Sequence, residues 1–486
     1  MSVEVDLLPE PELLFGGNDP CIDPRLGLLS FGPSGVRSTS DVRRIRIGAI
    51  GTYGAICQMR RFLERLRYAI PAPRSGRVQP WHIDFPGLGE KGPLKFELEL
   101  DSGAIEYISD QEHNHAMGNS ARKKRIEETV RVYEQRFEDL AASAHPAPSI
   151  VLLPLSKELV ERCKDPRYQV DRILYERRTL NKSARLSNVP VFDFHHVLKV
   201  IAFRHNLATQ VLLPSTVNLS RTNQDPATIA WNFTAASYYK GTGWPWKLAD
   251  IDDRTCLLGI SFFEEIAEGQ GSMRASMAHV YLKTAESQII RGKPFRWAGV
   301  PRRQVQLSRM HAREIVSDAV ELFERQRGVS PSRVVIHKTS PFTLEESEGF
   351  DEATNSIDVV DYIHIESKPS IQFFHEGEGY PPVRGTLISS TNGSSFVLYT
   401  VGFIAAYSTY PGSTIPRPLV LHPYRLDSSK DVIATDILAL SKLDWNNTDF
   451  CSREPVTTSV SRKVGHILAE MRARDIEPPQ AYRFYM

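Results

Sequence analysis

The sequence has few cysteines, almost no net charge and no long apolar run. Cysteine occurs at Cys21, Cys57, Cys163, Cys256 and Cys451 only, and no CxxC pair opens a zinc site. Odd in number and far apart, these residues read as reduced thiols and not as a disulfide framework. No apolar stretch approaches the roughly 18 residues of a membrane span, so no membrane partner is expected. The acidic opening MSVEVDLLPEPELLF lacks the basic region of a secretory signal, which points to a cytoplasmic chain whose first residues join the fold or a partner. Matches to N-x-[ST], such as Asn392-Gly393-Ser394, are then chance. With 59 Lys+Arg against 58 Asp+Glu the formal charge is +1. That balance argues against indiscriminate coating of nucleic acid and leaves room for a local basic channel. Also missing are GxxxxGK[ST], a GxGxxG opening a helix after a strand, HExxH and GxSxG. Nucleotide-hydrolysing, NAD-binding, zinc-protease and serine-hydrolase readings therefore have no support.

What is present is 486 residues at 41% hydrophobic, material for two to four domains with sizeable cores. A strand is predicted over Ile45 to Ile50 and a helix through Met59 to Tyr68. Arg43, Arg44, Arg46, Arg60, Arg61, Arg65, Arg67, Arg74 and Arg77 cluster there with few local acids, as a solvated face or a polyanion surface. A helix from Ser120 to Ala144 is stopped by Pro146 and Pro148 before a strand from Ile150 to Leu155. A second helix, Phe194 to His205, precedes a strand-like Gln210 to Leu213, and the alternation predicts an α/β fold with a parallel sheet to about residue 245. Beyond residue 250 the pattern changes. Thr255 to Phe263 and Ala278 to Thr284 read as antiparallel neighbours, followed by a helix from Ser308 to Arg327 and a buried strand from Arg333 to His337. Strands at Tyr362 to Glu366, Thr386 to Ser389 and Phe396 to Gly402 come next, then helices at Val432 to Leu443 and Ser459 to Met471.

Three features carry candidate chemistry. His113 and His115 in EHNH suggest a metal, but without further ligands at recognisable spacing a solvated loop is the better reading. In FHHVLKVIAFRHNLATQVL, His195 and Lys199 are four apart and share a helix face, so a flat ring and a point charge can address one ligand, with Gln210 offering an amide donor. Lys240 ends a helix against a Gly-x-Gly turn, where it either offsets the helix dipole or serves a ligand.

The order His195-x-x-x-Lys199, Gln210 within Ala-Thr-Gln, then Lys240 before Gly241-x-Gly243-x-Pro245-Trp246 resembles the MID domain of the Argonaute family, in its prokaryotic His-containing version. Asp23-Pro24-Arg25-Leu26-Gly27-Leu28 with Phe31-Gly32-Pro33 resembles the opening of short prokaryotic Argonautes. Leu257-Leu258-Gly259-Ile260, Val334-Val335-Ile336-His337 and Val464-Gly465-His466-Ile467-Leu468-Ala469 resemble the first strand, central strand and last helix of a PIWI domain. The resemblance implies an N-terminal segment over 1–40, a Rossmann-like MID domain over 41–250 and an RNase H-like PIWI domain over 251–486, without the N-terminal and PAZ domains of long Argonautes.

It further implies a guide 5′-phosphate pocket. Lys199 and Lys240 would neutralise the phosphate, Gln210 would hydrogen-bond it, and His195 would stack on the first base. A Mg2+ ion would bridge the phosphate to the C-terminal carboxylate of Met486. At the PIWI acid positions stand Ser261 and Thr339, with His466 at the last-helix position. Neutral hydroxyls cannot hold two hard metal ions, so the nuclease is expected to be inactive. The implied role is an RNA-guided sensor, loaded with a 5′-phosphorylated guide RNA, that recognises single-stranded target DNA of plasmid or phage origin. It would activate an APAZ-containing partner bearing a sirtuin-like or TIR effector, depleting NAD in abortive infection. The alternative is an autonomous guide-directed nuclease with displaced acids at Glu264 or Glu265.

Overall fold

Two sheets, one parallel and one mixed, organise the chain. The computed structural model describes residues 3–36, 42–74, 79–89, 92–163, 194–220, 224–264, 272–281, 287–296, 305–373, 381–390, 393–412, 414–471 and 476–486. Elements are labelled in chain order. The strands used below are β1 (Val3–Leu7), β2 (Arg43–Thr52), β3 (Phe96–Ile108), β4 (Ile150–Pro154), β5 (Thr209–Leu212), β6 (Thr255–Glu264), β7 (Ser272–Tyr281), β8 (Arg333–Lys338), β9 (Val359–Glu366), β10 (Thr386–Ser390), β11 (Phe396–Leu398) and β12 (Leu419–Leu426). The helices are α1 (Pro24–Phe31), α2 (Tyr53–Arg65), α3 (Asp110–Gly118), α4 (Arg122–Ser143), α5 (Phe194–Phe203), α6 (Pro226–Thr242), α7 (Arg309–Arg327), α8 (Leu344–Ala353), α9 (Lys430–Leu440) and α10 (Val456–Leu468).

The first sheet has the order β3-β2-β4-β5, and every pairing in it is parallel. Parallel strands need covered faces, and both are covered. Ile45, Ile47 and Ala49 pack with Ile56, Met59 and Phe62 of α2 and with Trp231 and Phe233 of α6. Ile50 faces the other way, into a core with Ile126, Val130 and Phe137 of α4 and with Val197 and Ile201 of α5. Strand β3 supplies acids to the arginine-rich β2 that local sequence did not reveal: Arg44 lies 3.5 Å from Glu99 and 3.9 Å from Glu97, and Arg46 pairs with Asp101. Arg77 lies outside the described residues.

The second sheet has ten strands among the described residues. Its order is β1-β10-β11-β12-β9-β8-β6-β7, with Gln288–Ile290 and Pro294–Arg296 both paired to β7. β8 runs parallel to both β6 and β9, and the remaining pairings are antiparallel. β7 ends at Tyr281, and the expected continuation to Thr284 falls outside the described residues. Strand alternation divides the faces. Leu257 and Val335 join the core of α10, while Cys256, Leu258, Ile260, Val334 and Ile336 join that of α7 and α8. α7 is capped as its sequence suggests, with Ser308 accepting from His311 N and Gly328 in the left-handed region at φ 71°.

Three expectations are corrected. The EHNH segment is not a loop: Ser109 and Glu112 form a capping box that starts α3, and His113 Nε2 lies 3.4 Å from Ser156 Oγ and 3.6 Å from Glu158. The strand expected to run to Gly402 ends at Leu398. The last helix begins three residues early, at Val456, because Val456, Val460 and Val464 continue one buried apolar stripe back to Pro455.

The N-terminal residues tie the two sheets together. β1 adds an edge strand beside β10, with Val5 opposite Ile388. Leu13–Leu14 pairs with both Pro20–Cys21 and Lys247–Leu248. Buried Arg25 on α1 donates through Nη1 to Trp81 O at 2.7 Å and through Nε to Thr448 Oγ1 at 2.9 Å, so one side chain staples a loop beside the first sheet to a loop beside the second. Among the described residues no helix is long and apolar enough to cross a membrane.

Candidate functional site

Helices α5 and α6 are apolar almost all round, and each carries one lysine into the interior. On α5, Val197, Leu198, Val200 and Ile201 are buried, and Lys199 goes in with them at 3% exposure. On α6, Trp231, Phe233, Tyr238 and Tyr239 are buried, and Lys240 is 1% exposed. Lys240 sits in the last turn, which ends at Thr242 with Gly243 at φ 116° as cap. Gly241 is required where α6 crosses β2, since a Cβ there would meet the side chain of Ile45. Lys240 does not turn back to its own helix end. Its Nζ donates to Thr209 O at 3.1 Å and to Gln210 Oε1. Lys199 Nζ donates to the same Thr209 O at 3.4 Å and to Met486 O. The structure therefore brings Lys199, Gln210, Lys240 and Met486 into one hydrogen-bonded group.

Neither lysine has a carboxylate side chain within ion-pair distance among the described residues. Burial pushes Lys199 down to about 7, and burial together with the neighbouring Lys199 holds Lys240 well below the ordinary lysine value. His195 stands one turn before Lys199 and is exposed. Desolvation by the neighbouring residues, with Lys199, His196 and Lys240 nearby, holds its imidazole well below the ordinary histidine value. Gln210 Nε2 donates to Val211 O at 3.3 Å. Beside them Thr209 Oγ1 is buried with no hydrogen-bond partner. The centre of the group, Thr209 O, is a main-chain atom and left no sequence signal.

The donors fit an anion. Thr209 O, Gln210 Oε1 and Met486 O each accept from a lysine, while Thr209 Oγ1 beside them has no partner. The expected Mg2+ would need the Met486 terminus, whose oxygen accepts from Lys199 Nζ here, as its carboxylate ligand.

At the second sheet, β8 and β6 are in parallel register with His337 opposite Gly259 and Lys338 opposite Ile260, so Thr339 follows beside Ser261. Ser261 is buried and Thr339 is exposed. α10 packs tightly here: a Cβ on Gly259 would overlap the main chain of Thr457, and Thr457 Oγ1 lies 2.9 Å from His337 Nδ1. Thr457 thus faces the sheet. His466 is nine residues further on, about half a turn round the helix, and is exposed. The structure sets it on the side away from the strands that carry Ser261 and Thr339, whereas buried Ser461 shares the face of Thr457. Motif matching placed His466 by neighbouring apolar residues and did not fix the helix phase. Among the described residues no group of three or more His, Cys, Asp or Glu is placed to hold a metal ion. Glu264 ends β6 opposite Met273, and Glu265 lies outside the described residues.

No family model and no curated protein matches the sequence. Solved structures do match in fold. The Clostridium butyricum Argonaute bound to a guide DNA (5′ deoxycytidine) and a 19-mer target DNA superposes with a TM-score of 0.65 at 14% identity, over 96% of this chain and 53% of that one. The A. aeolicus Argonaute gives 0.57 at 14% identity, over 98% and 54%. Drosophila Piwi gives 0.55 at 12% identity, over 99% and 56%. The chain spans about half the length of these proteins. It has the mixed α/β architecture of their MID and PIWI regions, and its fold is Argonaute-like.

Proposed function

We propose that this chain holds the 5′-phosphorylated end of a guide strand at Lys199, Lys240 and Gln210, with His195 stacked on the first base. The observation that carries this reading is the convergence of two buried lysines on Thr209 O with no acidic side chain among the described residues to balance them. A terminal phosphate supplies the missing charge and replaces carbonyl acceptors with charged ones. The nucleic acid in the C. butyricum structure supports a guide that pairs with a target in the channel of the same fold. The proposed guide is RNA and the proposed target single-stranded DNA.

The PIWI half is proposed to bind the duplex without cutting it. Ser261 and Thr339 at the strand positions cannot give two hard cations the carboxylates that in-line phosphodiester cleavage requires. Function then resides in a separate chain, an APAZ-containing protein with a sirtuin-like or TIR effector. Target binding would switch that partner to NAD depletion in defence against plasmids or phage.

A cleavage assay with purified chain, 5′-phosphorylated guide, complementary target and Mg2+ tests the inactive reading. Target should remain intact. Guide-directed cutting that disappears in Glu264→Gln or Glu265→Gln would replace it with an autonomous nuclease. Co-expression and co-purification with an APAZ-containing protein, followed by NAD measurement on adding guide and target, tests the effector.

A further inference from the structure

The arginines flagged in the sequence do not share one fate. Arg44, Arg46, Arg67 and Arg74 each have an acidic partner within 4 Å. Arg60 and Arg61, both exposed on α2, have none among the described residues. Their helix buries Ala55, Ile56, Met59 and Phe62 and turns the opposite face to solvent. On that outer face Tyr53, Arg60 and Arg61 are at i, i+7 and i+8 and lie within one stripe.

Tyr53, at the start of a helix with a well-buried inner face, is 67% exposed. Across the β2–β3 pairing, where Gly51 stands opposite Tyr107, the ring of Tyr107 lies 6.0 Å from that of Tyr53 at a 35° tilt and is itself 44% exposed. Cys57 on the same helix, then Tyr107, push the Tyr53 phenol above its ordinary value against the smaller opposing effect of nearby Arg60, so the ring stays uncharged. Gly54, between ring and arginines, has nothing within 4 Å of where a Cβ would stand, so the surface is open.

We propose that Tyr53, Tyr107, Arg60 and Arg61 form a contact surface for single-stranded nucleic acid, separate from the lysine pocket. Two neighbouring exposed rings offer π-faces for bases, and unpaired guanidinium groups beside them suit backbone phosphates. This chemistry fits a polyanion with flat apolar bases better than an acidic protein, which has no use for the paired rings. The register of β2, β4 and β5 sets Thr209 level with Gly48, so Thr52 at the end of β2 lies four residues, about 13 Å, further along, with Tyr53 opening α2 beyond it. The two sites can be occupied together, and this surface does not depend on the pocket reading.

The test uses the full chain and a fluorescein-labelled 5′-hydroxyl oligothymidylate, which has no terminal phosphate for the lysines, read by anisotropy across a salt series. In both the wild-type and the Lys199→Ala/Lys240→Ala backgrounds, Tyr53→Ala/Tyr107→Ala should weaken binding about tenfold. Tyr53→Phe/Tyr107→Phe should keep it, because the ring and not the hydroxyl stacks. Arg60→Ala/Arg61→Ala should lower the slope of log K against log salt by about 1.4. The proposal is overturned by no measurable binding of this strand, by a Kd within twofold of wild type in the Tyr→Ala pair, or by equal loss in the Phe pair. Failure of the lysine reading would show separately, as unchanged binding of a 5′-phosphorylated strand in Lys199→Ala/Lys240→Ala.

Discussion

Lys199 and Lys240 reach the same main-chain oxygen, Thr209 O, at 3.4 and 3.1 Å, from two helices whose other residues are nearly all apolar. A carbonyl is a neutral acceptor shared by two lysines, and replacing it with a phosphate dianion sets a charged acceptor against each ammonium donor, in hydrogen bonds worth about 1.5–3 kcal/mol each. Lys199→Ala or Lys240→Ala should therefore weaken binding of a 5′-phosphorylated guide by about ten- to a hundredfold and leave a 5′-hydroxyl guide within a few-fold of wild type. Equal losses for the two guides in a filter-binding titration would remove both lysines from phosphate recognition.

Gly259 and Thr457 set the distance between the second sheet and its last helix. A Cβ at Gly259 would overlap the Thr457 carbonyl and lie 2.9 Å from its Cα, and main chain on both sides has nowhere to go. Gly259→Ala should cost about 3 kcal/mol, the upper end of overpacking effects, visible as a lower urea midpoint with an unchanged slope. Gly54→Ala is the control. With open space around it and a helical backbone, that change should stabilise by about 0.5 kcal/mol. A Gly259→Ala midpoint at or above wild type would mean that the helix is not packed as described.

Much of this arrangement was legible in the sequence because it depends on period. The four-residue spacing of His195 and Lys199 fixes a shared helix face, and the short, nearly continuous apolar runs in Thr255 to Phe263 and Arg333 to His337 mark strands buried on both sides. Other parts depend on distant pairing or on main-chain atoms, which local sequence does not display. Thr209 contributes a carbonyl, Glu97 and Glu99 meet Arg44 only after β3 pairs with β2, and Val3–Leu7 finds its partner almost 400 residues away. His466 sits beside the right apolar residues but half a turn from the face that touches the sheet, a difference of phase that a short motif does not carry.

His337 gives the fold a measurable pH dependence. It is wholly buried, its Nδ1 meets Thr457 Oγ1, and its Nε2 has no partner. Burial, with Arg333 nearby, lowers its value to about 3. The neutral ring is the folded form, so the unfolded chain binds one more proton below the ordinary value of about 6.5. Stability from this group is complete above about pH 6.5 and falls by up to about 1.4 kcal/mol per pH unit as pH drops towards 3. His337→Asn should be less stable at pH 7 and should lose stability less steeply between pH 6.5 and 4. Parallel slopes for the two proteins, from urea melts at each pH, would show that His337 is already protonated in the fold.

Glu10 holds the N-terminal segment to the second sheet through two buried cations. Arg384 Nε lies 2.9 Å and Lys442 Nζ 2.6 Å from its carboxylate, and both cationic side chains are essentially inaccessible to solvent. The two cations hold the Glu10 carboxyl below the ordinary value against the opposing effect of burial. Removing that charge leaves an arginine and a lysine buried without their shared counter-ion, a change that typically costs about 3–5 kcal/mol. Glu10→Gln should therefore destabilise strongly, and adding Lys442→Met should recover part of the loss by taking away one of the stranded charges. A double-mutant cycle read by denaturant unfolding separates this from simple loss of packing: if the two changes add without coupling, Glu10 is not the counter-ion of Lys442.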